Sequence, residues 1–171
     1  LIPFPPAGED ESANVAARGQ AIREALRQQK IQAIHPVLII PKHSVTVRAV
    51  FLPTTEEAEL ESMAAFEAQK IIPFNAERHV ISHCALARES IQGTRVLITA
   101  VDEPVINEAV NILLAAGIEP ALGEVSTLSL YNAWRYEVAR TGTSTEGLQA
   151  IIHIGSAHTE IILIHKGALL V

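Results

Sequence analysis

Aromatic residues are scarce in this 171-residue chain, at 4%, and cysteine occurs once, at Cys84. The shortage of rings leaves any core to Ile, Leu, Val and Ala. The 49% hydrophobic content is enough to build one, which sets disorder aside. A lone cysteine closes no internal disulfide and fits a reducing compartment. Positive charge is also short, with thirteen Lys and Arg against nineteen Asp and Glu and a net charge of −6. The basic residues are scattered outside Arg23 to Lys30, without the stripe that a nucleic-acid surface presents. No unbroken apolar run approaches the roughly eighteen residues of a membrane span. The opening Leu1-Ile2-Pro3-Phe4-Pro5-Pro6 has no basic start and is too short for a signal peptide. Together these absences predict a soluble, cytosolic polypeptide with no nucleic-acid partner and no direct membrane insertion.

Both ends read as interrupted. The chain opens on Leu in an apolar, Pro-rich stretch and closes on Ala168-Leu169-Leu170-Val171, a strand pattern cut in mid-run. Strands left open in this way, Val37–Ile40 and Ile161–Val171, predict self-association through their edges.

Periodicity places the elements between those ends. Val15 to Lys30 predicts a helix with Val15, Ile22 and Leu26 on one stripe, Asn14 as N-cap and Gly19 as a weak point. Val37-Leu38-Ile39-Ile40 is a short continuous apolar run, the pattern of a strand buried on both faces. Val45 to Leu52 alternates, with Val45, Val47, Ala49 and Phe51 on one face and Thr46, Arg48, Val50 and Leu52 on the other. Thr54 and Glu57 form a capping-box pair, opening a helix to about Ile71 with Leu60, Met63, Ala64 and Ile71 inward. The corner Ile71-Ile72-Pro73-Phe74 ends it, since proline lacks the N–H a helix needs and extends its predecessor.

Two strands follow, roughly His79 to Ala87 and Arg95 to Val101, joined through Gln92-Gly93-Thr94. Asp102 then caps a helix with Ile106, Ala109, Val110, Leu113 and Leu114 on one stripe, closed by Gly117. A short strand spans Ala121 to Val125. Ser126 or Thr127 caps a further helix through Leu130, Trp134 and Val138, which frays at Thr141-Gly142-Thr143-Ser144-Thr145. The last stretch reads as a meander: Ala150 to Ile154, a turn, Thr159 to Ile164, a turn at Lys166-Gly167, and a strand from Ala168.

Few residues invite chemistry. The turn Ile154-Gly155-Ser156-Ala157-His158-Thr159 is the phosphate-loop candidate, because small residues in a tight turn can expose backbone N–H groups to an anion. The same glycine equally suits an ordinary hairpin. Among the seven histidines, His79 and His83 share a strand face, and His153 and His158 gather with Glu160 near one turn. Neither group supplies the three or four converging ligands of a zinc site, so no metal site is expected. Cys84 lies in an apolar strand with no basic neighbour to lower its pKa apart from His83 on the opposite face, and no Gly-x-Ser-x-Gly elbow occurs. Glu56, Glu57, Glu59 and Glu61 crowd the start of a helix, where acidic residues complement the dipole. No catalytic residue emerges.

Four motifs in order carry a resemblance: Arg48 through Leu52-Pro53, Glu67 through Phe74, Ala116-Gly117-Ile118-Glu119-Pro120, and Ile152 through Thr159. The chain resembles the PilM family of type IV pilus assembly proteins, which share the actin-like fold of the division protein FtsA. The match covers nearly the whole chain apart from roughly its first eighteen residues. It implies an α/β chain, a partial actin-like (ribonuclease H-like) fold with an inserted strand-helix-strand-strand (SHS2-like) subdomain. On that template residues 1–44 belong to a larger subdomain and 45–120 to the insertion. Residues 121–145 return to the larger part, and 146–171 open the second half.

The implied function is a cytoplasmic scaffold, peripheral to the inner membrane, of a type IV pilus or secretion apparatus. It would bind the N-terminal tail of an inner-membrane partner, PilN, in a groove between the insertion and the larger subdomain. Arg48, Val50, Leu52 and Phe74 are the residues expected to line it, with the Leu60–Ile71 helix. The alternative is an actin-fold ATPase, or an FtsA-like membrane-tethered polymer protein. In actin-like ATPases the matching loop reads Asp-x-Gly-x-x-x-Thr, so Gly155, Ser156 and Thr159 become the phosphate-facing candidates. The resemblance implies ATP with Mg²⁺ as a cofactor of the full-length protein, and none is expected in these 171 residues alone. His153 stands where the family's Asp would handle the metal, and imidazole suits Mg²⁺ poorly, so ATPase activity is not expected.

Overall fold

In the computed structural model, which describes residues 4–5, 8–71, 78–88, 93–156 and 158–170, helices and strands follow the order that the patterning predicts. The chain runs α1 (Glu11–Gln28), β1 (Val37–Ile40), β2 (Val45–Leu52), α2 (Glu57–Ile71), β3 (His79–Arg88) and β4 (Thr94–Asp102). It continues with α3 (Glu103–Ala115), β5 (Leu122–Val125), α4 (Ser126–Thr141), β6 (Leu148–Ile154), β7 (Thr159–His165) and β8 (Ala168–Leu170). A turn of 3-10 helix at Lys42–Ser44 leads into β2. Two compact units result: Leu1–Ile40 with Glu103–Glu124, and Pro41–Asp102 with Val125–Val171.

In the first unit α1 packs on α3 at close range. A Cβ on Gly19 would lie 2.5 Å from Ala115 Cβ, so the absence of a side chain is what admits the contact. Arg23 closes the C-terminal end of α3, donating from Nη2 to the Ala115 carbonyl at 2.5 Å and from Nε to Ala116 at 3.3 Å. Gly117, at φ 79°, ends the helix as expected. α1 starts at Glu11 rather than Val15 because Asp10 is its N-cap, accepting from the Ser12 and Ala13 amides. Asn14 instead bridges to both backbone groups of Gly8. β1 pairs with β5. It is not buried on both faces: Val37 is 45% and Ile39 53% exposed, and Ile40 alone of the four is buried.

The second unit holds two antiparallel sheets. In the first, β4 lies between β2 and β3, with Arg48 opposite Ile98 and Leu52 opposite Thr94. α2 covers one face, and Leu52, Leu60, Ala64, Ala68, Val96, Ile98 and Ala100 form its core, with Val50, Met63 and Ile81 at the margin. Val45, Val47, Leu97 and Val101, on the reverse face, are buried as well. The helix start differs in detail from the expected box. Thr54 Oγ1 accepts from the Glu56 amide and donates to Glu59, not Glu57, because α2 begins at Glu57 and its third residue is the one that reaches back.

The second sheet is the expected meander, β6-β7-β8. One of its faces carries Ile162, Ile164 and Leu169, all buried, and receives α4, whose Tyr131 hydroxyl donates to the Gly167 carbonyl at 2.6 Å. Ser126 and Thr127 do not cap α4. The residue at the cap is Val125, which makes no side-chain hydrogen bond there, and the two hydroxyls turn to Glu160.

Candidate functional site

The first candidate is the outer margin of β2. A strand at the end of a sheet leaves a row of backbone donors and acceptors without a neighbour in that sheet, and β2 holds that position in β2-β4-β3. Arg48, midway along it, is exposed, with its guanidinium touching only the adjoining Val47 carbonyl at 3.3 Å among the hydrogen bonds described. Val50 is half-buried against the α2 core. Leu52 is 2% exposed and lies within that core, so its side chain supports the strand from behind. Phe74 and the rest of the corner at 72–77 lie outside the described residues. The inward face of α2, Leu60, Ala64 and Ala68, is likewise buried on the sheet.

A neighbouring aromatic, placed by alternation on the strand face opposite Arg48, is absent from the expected site residues. Phe51 is 54% exposed and its ring lies over Gly93, where an added Cβ would collide with Phe51 Cζ. The glycine across the strand is the signal that could have found it. Arg48 and Phe51 thus stand near one edge, one on each face of the strand, by the alternation of β2.

The second candidate is the turn between β6 and β7. Ile154 pairs with Thr159 and His153 with Glu160, so the hairpin is closed tightly. The Gly155 N–H donates to the His158 carbonyl at 2.9 Å, which commits that amide to the turn itself. A Cβ on Gly155 would stand 3.0 Å from the same carbonyl, which gives this glycine a packing reason. Ser156 and Thr159 are exposed. On the α4 side, Ser126 Oγ donates to Glu160 Oε2 at 2.8 Å, and Thr127 Oγ1 donates to Oε1. His158 stacks on His43, with ring centroids 4.1 Å apart and planes 13° from parallel.

Elsewhere, His79 Nε2 meets Asp102 Oδ1 at 2.9 Å across the β3–β4 pair. Cys84 is half-buried on β3. Among the described residues no three or more His, Cys, Asp or Glu converge on a point that could hold a metal ion. Nor is any helix among them long and apolar enough to cross a membrane.

Known proteins share this fold. Residues 6–171 match the family described as type IV pilus assembly protein PilM. A chain of the solved PilM-PilN type IV pilus biogenesis complex superposes on 99% of this chain with a TM-score of 0.82 and 22% identity. That likeness shows the fold, a partial actin-like α/β arrangement. This chain spans about half, 51%, of the solved chain it matches. The cytoplasmic domain of EpsL from the Vibrio cholerae type II secretion system aligns over 85% of this chain and 52% of its own, at 16% identity and a TM-score of 0.48, too distant to carry weight. No curated protein matches.

Proposed function

The chain belongs to the PilM family of type IV pilus assembly proteins, and from that premise we propose that it is part of a scaffold that binds the N-terminal tail of a PilN-like membrane protein. The observation that carries the reading is the end position of β2, with Arg48 exposed at its middle. An extended peptide can add to such an edge, its backbone supplying affinity and its alternate side chains selectivity. Arg48 would meet a carboxylate on the tail, since guanidinium–carboxylate pairs are directional and charge-assisted. Val50 and Leu52 hold the strand in place through the α2 core, and Phe74 is proposed as a second wall. A solved complex that pairs PilM with PilN supports the choice of partner. The proposed location is the cytoplasmic side of the inner membrane.

We assign no nucleotide hydrolysis to this chain. His153 offers nitrogen where Mg²⁺ prefers hard oxygen. The Gly155 amide already serves its own turn, and Glu160 places a carboxylate beside the α4 N-terminus. With His153 in place of the Asp and the Gly155 amide engaged, these residues do not fit a magnesium nucleotide.

Calorimetric titration with the cognate tail peptide tests the scaffold. Saturable binding weakened about tenfold or more by Arg48→Glu is expected, equivalent to roughly 1.4 kcal/mol. Ile154→Lys, on the other sheet, should leave it unchanged. Absence of saturable binding, or binding indifferent to Arg48→Glu, sinks the proposal.

A further inference from the structure

The chain passes into the second unit twice, at Pro41 and again at Val125. Both passages are fastened to the same few residues at the start of β7. At the later one, Ser126 and Thr127 each donate a hydroxyl to the Glu160 carboxylate. At the earlier one, the Lys42 amide donates to Ser126 Oγ at 3.0 Å, and the His43 ring stacks on His158. Ser126 therefore links the two passages, accepting from Lys42 and donating to Glu160.

A hydroxyl has one proton and two lone pairs. Committing that proton to a carboxylate fixes the rotor and turns the lone pairs outward, where the Lys42 N–H meets them. Bonds to an ionised acceptor are about twice as strong as neutral ones, and linked hydrogen bonds polarise one another. The carboxylate also lies by the first turn of α4, where the helix dipole favours negative charge. So Glu160 acts on Lys42 without touching it.

We propose that Glu160 is a positioning residue, a clasp through which two segments, 41–44 and 125–127, open together rather than independently. The clasp also ties in the turn through Gly155, Ser156 and His158, because His158 holds His43. A group seated on that turn would be felt at Lys42 and Ser126 alike.

Residue-resolved amide exchange on the intact protein tests this. In Glu160→Ala, exchange at Lys42 should accelerate about tenfold or more, together with the first turn of α4. Ile98, in the middle of β4, should stay as protected as before, and Glu160→Gln should fall between. A Lys42 amide that keeps its wild-type exchange while α4 loosens would overturn the clasp. If Glu160→Ala unfolds the unit, seen as loss of Ile98 protection, Thr127→Val gives the decision. That variant removes one of the two donors to Glu160. It must loosen Lys42, which Thr127 does not bond, and an unchanged Lys42 again refutes the proposal.

Discussion

The second unit holds two antiparallel sheets of three strands, and they are finished differently. In β2-β4-β3 both faces are covered: Val96, Ile98 and Ala100 lie under α2, while Leu97 and Val101 are buried on the reverse. In β6-β7-β8 one face receives α4 and the other stands open, with Leu148 65%, Ile152 61%, Ile154 78%, Ile161 64% and Leu163 42% exposed. Cross-strand pairs such as Ile152 with Ile161 put these side chains together on one surface. Five aliphatic side chains at such exposures make a contiguous patch of a kind that monomers rarely leave bare. A strand's own pattern states which residues share a face, not whether anything covers it.

The largest effect should come from the doubly covered sheet. Leu97 is 0% exposed, and Leu97→Ala should cost about 2–5 kcal/mol in urea unfolding, because the lost contacts leave a cavity. A cost near zero would mean that the reverse face is not a real core. Gly93→Ala should cost about 1–3 kcal/mol. Its Cβ would collide with Phe51 Cζ and meet the Leu52 carbonyl at 2.6 Å. Adding Phe51→Ala should recover only part of that loss, since the backbone carbonyl remains. Full recovery would place the whole strain on the ring.

The open sheet sharpens the contrast within itself. Ile164 is 0% exposed and Ile154 78%. Ile164→Ala should cost about 2–5 kcal/mol, whereas Ile154→Lys should stay within about 0.5 kcal/mol. A large loss from Ile154→Lys would show that the open face is covered in solution. The smallest effect belongs to the first unit. Glu24 is held from the ordinary 4.5 to about 2, first by its hydrogen bond from Arg27 and then by that from Gln28. Its contribution is present above the ordinary value and is lost as the pH falls toward 2. The pair lies at the surface and is screened by solvent, so the check is the Glu24 carboxyl resonance rather than a melt. Titration near 4.5 would deny that the bond persists in water.

Local signals made most of the elements legible. Alternation marked β2, and the apolar stripe with Gly117 marked α3. The turn residues around Lys166-Gly167 marked the meander. Asp10 was legible too, since it directly precedes Glu11-Ser12-Ala13, but the apolar stripe from Val15 drew the helix start inward. The candidate site was less accessible. Arg48 and Leu52 share a face of β2 by alternation, yet one is exposed and the other 2% exposed. Their fates diverge because Leu52 meets Leu60 and Val96 in the α2 core, a contact that β2 alone does not encode.

Composition and periodicity by themselves determined an aliphatic α/β chain and the order of its elements. The order and spacing of four motifs carried a resemblance to the PilM family, which the match over residues 6–171 shows. Periodicity depends on neighbours within a few residues and motif order on position along the chain, so a linear reading suffices. The covering of faces was decided only in the tertiary structure, as were the emergence of β2 as an edge and the diversion of Ser126 and Thr127 from capping α4. Those hydroxyls had a local helix N-terminus to serve, and a carboxylate 33 to 34 residues away took them instead. Such a contact exists only once β7 and α4 have packed, because the bond to an ionised acceptor outcompetes the local cap only where the fold has placed that acceptor within reach.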